Sequence, residues 1–84
     1  MYVGVKGVKP LSDYKLLLTF DNGEKRTFDV NPYLDHGIFS ELKDISIFNS
    51  VEVKFDTIEW SNGADIDPEV LYRESYKKAP QFIA

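Results

Sequence analysis

Tyr14-Lys-Leu-Leu-Leu-Thr-Phe-Asp-Asn-Gly-Glu-Lys-Arg-Thr-Phe-Asp-Val30 is the stretch that decides the fold. Tyr14, Leu16, Leu18 and Phe20 alternate along one face, the period of a strand with one side in a core. Leu17 points the other way. Asp21-Asn22-Gly23-Glu24 follows, and Asn-Gly accepts the positive φ angles of a type I′ turn joining antiparallel strands. The return strand, Lys25 to Val30, places Arg26, Phe28 and Val30 on one face and Lys25, Thr27 and Asp29 on the other. The reading is a hairpin.

Val3, Val5 and Val8 predict an earlier strand over about 3–9, stopped by Pro10, with a turn at 11–13. After the hairpin, Asn31-Pro32 marks a turn or helix start. Pro32-Tyr33-Leu34 reads as one helical turn and Gly37 as a break. Ile38, Phe39 and Leu42 suit a short helix over 38–43. Asp44 is placed to cap another single turn holding Ile47 and Phe48. Val51, Val53 and Phe55 alternate with Glu52 and Lys54, which predicts a strand over 50–55. Asp56-Thr57 turns the chain into a last short strand with Ile58 and Trp60. Ser61-Asn62-Gly63 breaks it. Asp67-Pro68 then opens a helix that fades near Lys77-Lys78, since proline at the first helical position lacks an amide hydrogen that would be unpaired anyway.

The expected fold is therefore α+β. An antiparallel sheet of four or five strands, in the order β-β-β-α-β-β-α, carries short helices on one face. The 84 residues read as a single compact domain over 1–84, its core at about 4–75, with a tail at 79–84.

Composition narrows the function. The chain has no cysteine, which removes disulfides and thiolate metal sites. No apolar run nears the roughly 20 residues of a membrane span, and the N-terminus lacks the ordering of a signal peptide. The reading is cytoplasmic, with no membrane partner. A net charge of −4 argues against direct nucleic-acid binding. The charge is uneven. Residues 1–30 carry five bases (Lys6, Lys9, Lys15, Lys25, Arg26) and four acids, and residues 31–84 carry five bases and ten acids. The acidic half suits a basic partner.

No catalytic set emerges. Asp65, Asp67 and Glu69 alternate like the start of a calcium loop, but glycine is missing at its sixth position and glutamate at its twelfth, where Val70 and Tyr76 stand. Asp67 is explained as a helix cap and Glu69 as a first-turn acid. Glu59 and Asp65 are a candidate carboxylate pair across a turn. His36, the one histidine, has no local nucleophile beside it. No glycine-rich phosphate loop occurs, and Lys25-Arg26 alone is a thin phosphate footprint. Neither a cofactor nor a metal is expected. The aromatics Tyr14, Phe20, Phe28, Phe39, Phe48 and Phe55 read as core; Trp60, beside a turn, is assigned to the core or to a half-exposed edge. Phe82 and Ile83, after Pro80, either pack back, meet a partner or stay disordered.

Four segments resemble the bacterial domain-of-unknown-function family 2442 (DUF 2442). They are Val-Lys-Pro-Leu-Ser-Asp-Tyr at 8–14, Leu-Leu-Leu-Thr-Phe-Asp-Asn-Gly-Glu at 16–24, Phe-Asp-Val-Asn-Pro-Tyr-Leu at 28–34 and Ile-Glu-Trp-Ser-Asn-Gly-Ala-Asp-Ile-Asp-Pro-Glu-Val-Leu-Tyr at 58–72. The resemblance implies a compact bacterial α+β domain and no known activity. Some longer relatives append a helix-turn-helix, for which this chain has no room. Members often lie beside a second short reading frame of another uncharacterised family (DUF 4160), an arrangement that resembles a toxin–antitoxin pair.

The leading expectation is thus a non-enzymatic protein-interaction domain, in its concrete form the antitoxin-like member of a two-gene pair. Its partner would be a small protein encoded by a neighbouring gene, and its candidate contact residues Trp60, Asp65, Phe82 and Ile83. The alternatives are a small-molecule or enzymatic site near Trp60, Asp65 and His36, and a nucleic-acid accessory domain using the hairpin bases. A homodimer through an unpaired sheet edge is a further expectation.

Overall fold

In a computed structural model that describes residues 3–77, the hairpin stands where the alternation puts it. Strands β1 (Val5–Leu11), β2 (Lys15–Phe20) and β3 (Lys25–Asp29) form an antiparallel sheet with β2 in the centre. Leu16 lies opposite Phe28 and Leu18 opposite Arg26. Leu16, Leu18, Phe20, Phe28 and Val30 are buried. The period-2 pattern has buried one face of the sheet.

The turn is not type I′. Phe20 N–H donates to Glu24 O, and Gly23 N–H to Phe20 O, both at 2.9 Å, so three residues close the loop. Of these, Gly23 alone has positive φ, at 90°. The Asn22 side chain instead accepts from the Glu24 amide at 3.0 Å. Residues 60–64 repeat this loop: Trp60 N–H bonds Ala64 O and Gly63 N–H bonds Trp60 O at 2.9 Å each. Gly63 has φ 92°, and Ala64 N–H donates to the Asn62 carboxamide at 3.0 Å. Both Asn-Gly pairs thus serve three-residue loops with glycine in the left-handed place.

β1 runs through Pro10 instead of stopping before it. Pro10 lies opposite Leu16. The bonds Phe20 N–H to Glu24 O and Val30 N–H to Tyr14 O direct the even positions of β2 toward β3. Pro10 nitrogen therefore faces away from β2, where the missing amide hydrogen removes no ladder bond.

A second antiparallel sheet contains β4 (Glu52–Lys54), β5 (Thr57–Glu59) and β6 (Asp65–Ile66), with β5 in the centre. The expected single sheet of four or five strands is replaced by two three-stranded sheets, and β6 is an addition to the expected order. β1 packs beside β4 and β5, and Val5 N–H donates to Asp56 O at 2.8 Å. A ladder does not develop there because β1 has a register shift between Val5 and Gly7, followed by Pro10.

The connections are short helices. Tight 3-10 turns occupy Ser12–Tyr14, Asn31–Tyr33 and Gly37–Lys43, the last where an ordinary helix was expected. α1 (Ile45–Phe48) and α2 (Pro68–Glu74) follow. Each is capped as its sequence predicts: Asp44 accepts from Ser46 N–H at 2.9 Å and Asp67 from Glu69 N–H at 2.8 Å. Helices this short hold only through packing. Leu42, Phe48 and Leu71 supply it by joining Leu16, Leu18, Ile58 and Trp60 in one core.

A polar clamp fixes α2 to the hairpin. The Arg26 guanidinium lies 4.2 Å above the Tyr72 ring and bonds Glu24 at 2.8 Å. Tyr72 OH donates to the same carboxylate at 2.8 Å. The Tyr72 hydroxyl, then Arg26, holds the Glu24 carboxyl below its ordinary range. Beyond α2, Tyr76 pairs with Thr27 through backbone bonds of 2.7 and 3.0 Å, covering that part of the β3 edge.

Candidate functional site

The β4–β5 hairpin carries the most unusual residue in the fold. Lys54 pairs with Thr57, leaving Phe55 and Asp56 as a two-residue turn. Such turns favour the type I′ conformation, with positive φ at both positions. Here φ is 52° at Phe55 and 68° at Asp56. Asparagine and glycine suit these positions; a bulky aromatic does not, and the left-handed conformation costs it about 1 kcal/mol. Phe55 is also 89% exposed, so its ring gains almost nothing from the fold.

Tyr14 provides the control. It too is left-handed, at φ 60°. Its ring meets Phe48 edge to face at 5.3 Å, and its hydroxyl donates to Lys43 O at 2.6 Å. Packing and a hydrogen bond offset the strain at Tyr14. Among the described residues, neither does so at Phe55.

The hairpin tip is held firmly. Asp56 O accepts from Val5 N–H at 2.8 Å. A side chain at Gly4 would put Cβ 3.0 Å from the Asp21 carboxylate and 3.1 Å from Asp56 Cβ, so glycine allows this approach without pushing those side chains aside. Gly4 N–H donates to Asp21 Oδ2 at 3.2 Å. Along the stem, Lys54 Nζ lies 3.0 Å from Glu59 Oε1. The hydrogen bond to Glu59 raises the Lys54 ammonium above its usual pKa. Beside Phe55, Val53 is 37% exposed.

The residues expected to form a site do not form one together. Trp60 is 2% exposed, and its Nε1–H donates to Phe48 O at 3.0 Å inside the core. It offers no exposed edge for contact. Asp65 pairs with Glu59 on the solvent face of the second sheet, whereas Trp60 points into the core. The sheet itself separates them. Asp65 is exposed and makes no side-chain hydrogen bond among the described residues. Glu59 and Asp65 are brought side by side, with Glu52 on the other side of Glu59, so three carboxylates form a row. His36 is exposed in its loop. Lys25 and Arg26 point to opposite faces, and Arg26 is engaged by Glu24. Phe82 and Ile83 lie outside the described residues.

Sequence reasoning missed Phe55, because Val51-Val53-Phe55 reads as one alternating strand. The pairing of Val53 with Ile58 and of Lys54 with Thr57, which leaves two residues to turn the chain, is visible only in the ladder. Tyr33 was also overlooked. Burial, reinforced by its hydrogen bond to Glu74, pushes its hydroxyl up to about 12. That bond, Tyr33 OH to Glu74 Oε1, is 2.7 Å and ties α2 to the loop after β3. No enclosed pocket occurs among the described residues, and no described helix is long and apolar enough to cross a membrane.

Fold and surface together define a small mixed α/β protein with two antiparallel sheets and a braced hairpin that presents an aromatic ring to solvent. The chain belongs to the family described as "Protein of unknown function (DUF2442)", whose profile matches residues 5–77. No curated protein and no solved structure matches it.

Proposed function

We propose that this is a non-enzymatic protein-interaction domain that engages its partner through the β4–β5 hairpin, with Phe55 as the anchor. The observation that carries the reading is an aromatic ring held in strained backbone and left almost wholly in water. Local strain persists only where the surrounding structure enforces it, and it gathers at functional positions. Aromatic anchors of this kind supply much of the energy of an interface when they enter a socket. Burying the ring yields about 2–3 kcal/mol, or roughly 30–150-fold in affinity.

In its concrete form, the domain is the antitoxin-like member of a cytoplasmic two-gene pair. Its partner is the small protein of the adjacent reading frame. The family's company and the acidic half of the chain support this version. Asp65 flanks the hairpin surface, and Phe82 and Ile83, outside the described residues, are proposed as further apolar contacts for the same partner. Co-expression with the adjacent gene product tests the proposal. The two should co-elute on size exclusion, and Phe55→Asn should weaken the complex at least about 30-fold. Separate elution, or an affinity unchanged by Phe55→Asn, would overturn it.

A further inference from the structure

The ladders sort charge onto the solvent faces of the two sheets. On the first sheet, Lys9 lies opposite Leu17 and Lys15 opposite Leu11. Lys25 lies opposite Thr19 and Asp29 opposite Lys15. Leu17 and its row-mates point away from the buried face of Leu16 and Leu18, so this face carries three lysines against one aspartate, net +2. On the second sheet, Glu52, Glu59 and Asp65 form one row, and Lys54 lies opposite Thr57 on the same face. Three carboxylates against one lysine give net −2 there.

An antiparallel sheet commonly leaves one face to water, but a solvated face needs no segregation of sign. Like charges side by side on neighbouring strands are mildly destabilising, and Glu52, Glu59 and Asp65 adjoin in sequence across three strands. The basic face is not purely polar either. Tyr76, 46% exposed, sits beside Thr27 and continues the row of Lys9 and Leu17. A basic, partly apolar face and an acidic face on the same chain are complementary between two copies of it.

We propose that these solvent faces join two copies of this chain, the lysine face of one copy resting on the carboxylate face of the other. On the first sheet edge pairing is the less suitable route, because Pro10 and a register shift break the β1 edge and Tyr76 occupies the β3 edge at Thr27. This proposal shares Asp65 with the hairpin reading but needs nothing from Phe55, which caps the end of β4 and is not a member of either row.

Charge exchange between two variants tests it. One variant carries Lys9→Glu with Lys25→Glu; the other carries Glu52→Lys with Asp65→Lys. All four positions are exposed, so both variants should fold, which far-ultraviolet circular dichroism and unfolding midpoints verify. Sedimentation velocity of the full chain at low ionic strength should show a dimer that weakens as salt rises. Each variant alone should associate at least about 30-fold more weakly than the wild type. Mixed in equal amounts, they should form a heterodimer, because reversed lysine faces meet reversed carboxylate faces. A wild-type chain that stays monomeric at low salt, a dimer indifferent to both pairs of reversals, or folded variants that fail to associate when mixed would each overturn the proposal.

Discussion

Phe55→Asn should make this protein more stable, whereas Tyr14→Asn should make it less so. Both residues hold left-handed backbone, at φ 52° and 60°, a region asparagine tolerates far better than an aromatic. Relief of that strain is worth about 1 kcal/mol at each site. The difference lies in what the rings touch. Phe55 is 89% exposed, so it hides about a tenth of its surface. At about 25 cal/mol per Å², that is roughly 0.5 kcal/mol. The net gain for Phe55→Asn is then about 0.5 kcal/mol, or a rise of a few degrees in Tm for a domain of this size. Tyr14 is half-buried against Phe48 and bonds Lys43 O. Its loss removes about 2 kcal/mol of packing and about 1 kcal/mol of hydrogen bonding, against about 1 kcal/mol of relieved strain. Tyr14→Asn should therefore destabilise by about 2 kcal/mol. Urea unfolding followed by circular dichroism reads both values, with an unchanged slope confirming a common unfolding reaction. A loss of 1 kcal/mol or more in Phe55→Asn would show that the ring is held by contacts of the fold, and the argument for an anchor would fail.

Other consequences can be measured on the isolated chain. Asp67→Ala should cost about 1 kcal/mol by removing the cap of α2, whereas Asp65→Ala should leave stability within about 0.5 kcal/mol; equal losses would make both acids scaffold. The Trp60 indole should resist quenching by acrylamide, and Trp60→Phe should destabilise by about 2 kcal/mol through an unpaired Phe48 carbonyl and lost volume. An indole quenched as freely as in unfolded protein would contradict its burial. Ultraviolet titration should find one tyrosine ionising near 12 and lost in Tyr33→Phe. The folded value lies above the ordinary 10, so this group's contribution to stability is complete below pH 10 and disappears as pH rises toward 12. For Glu24 the sign is reversed: its lowered value means a contribution present above the ordinary glutamate range and lost as pH falls through the folded value. Glu24→Gln should therefore flatten the acid limb of the stability profile.

What could be read in advance was whatever depends on neighbours in sequence. Tyr14 to Phe20 alternate, so the hairpin and its buried face were visible. Asp44 and Asp67 cap helices because their own next residues need an acceptor. What could not be read depends on which way a backbone group points. Pro10 reads as the end of a strand until its nitrogen is known to face outward. The same edge, kinked between Val5 and Gly7, divides the expected sheet in two. The Asn-Gly pairs signalled turns correctly but not their length, since Asn22 and Asn62 turn their side chains back onto the chain instead of adopting left-handed backbone. Phe55 was hidden by the opposite fault: it continues an alternating pattern one step past the strand's end. As for the candidate site, Asp65 was found on the surface. Trp60 was not, because a turn next door does not reveal that its indole reaches across the core to Phe48.

The central claim rests on one ring. Isothermal titration of the proposed partner, the product of a neighbouring short reading frame, with the wild-type chain and with Phe55→Asn, both shown to be folded, measures it directly. The account predicts a saturable complex for the wild type and an affinity lower by at least about 30-fold for the variant, even though the variant is the more stable protein. Equal affinities, or no heat of binding with the wild type, would contradict it.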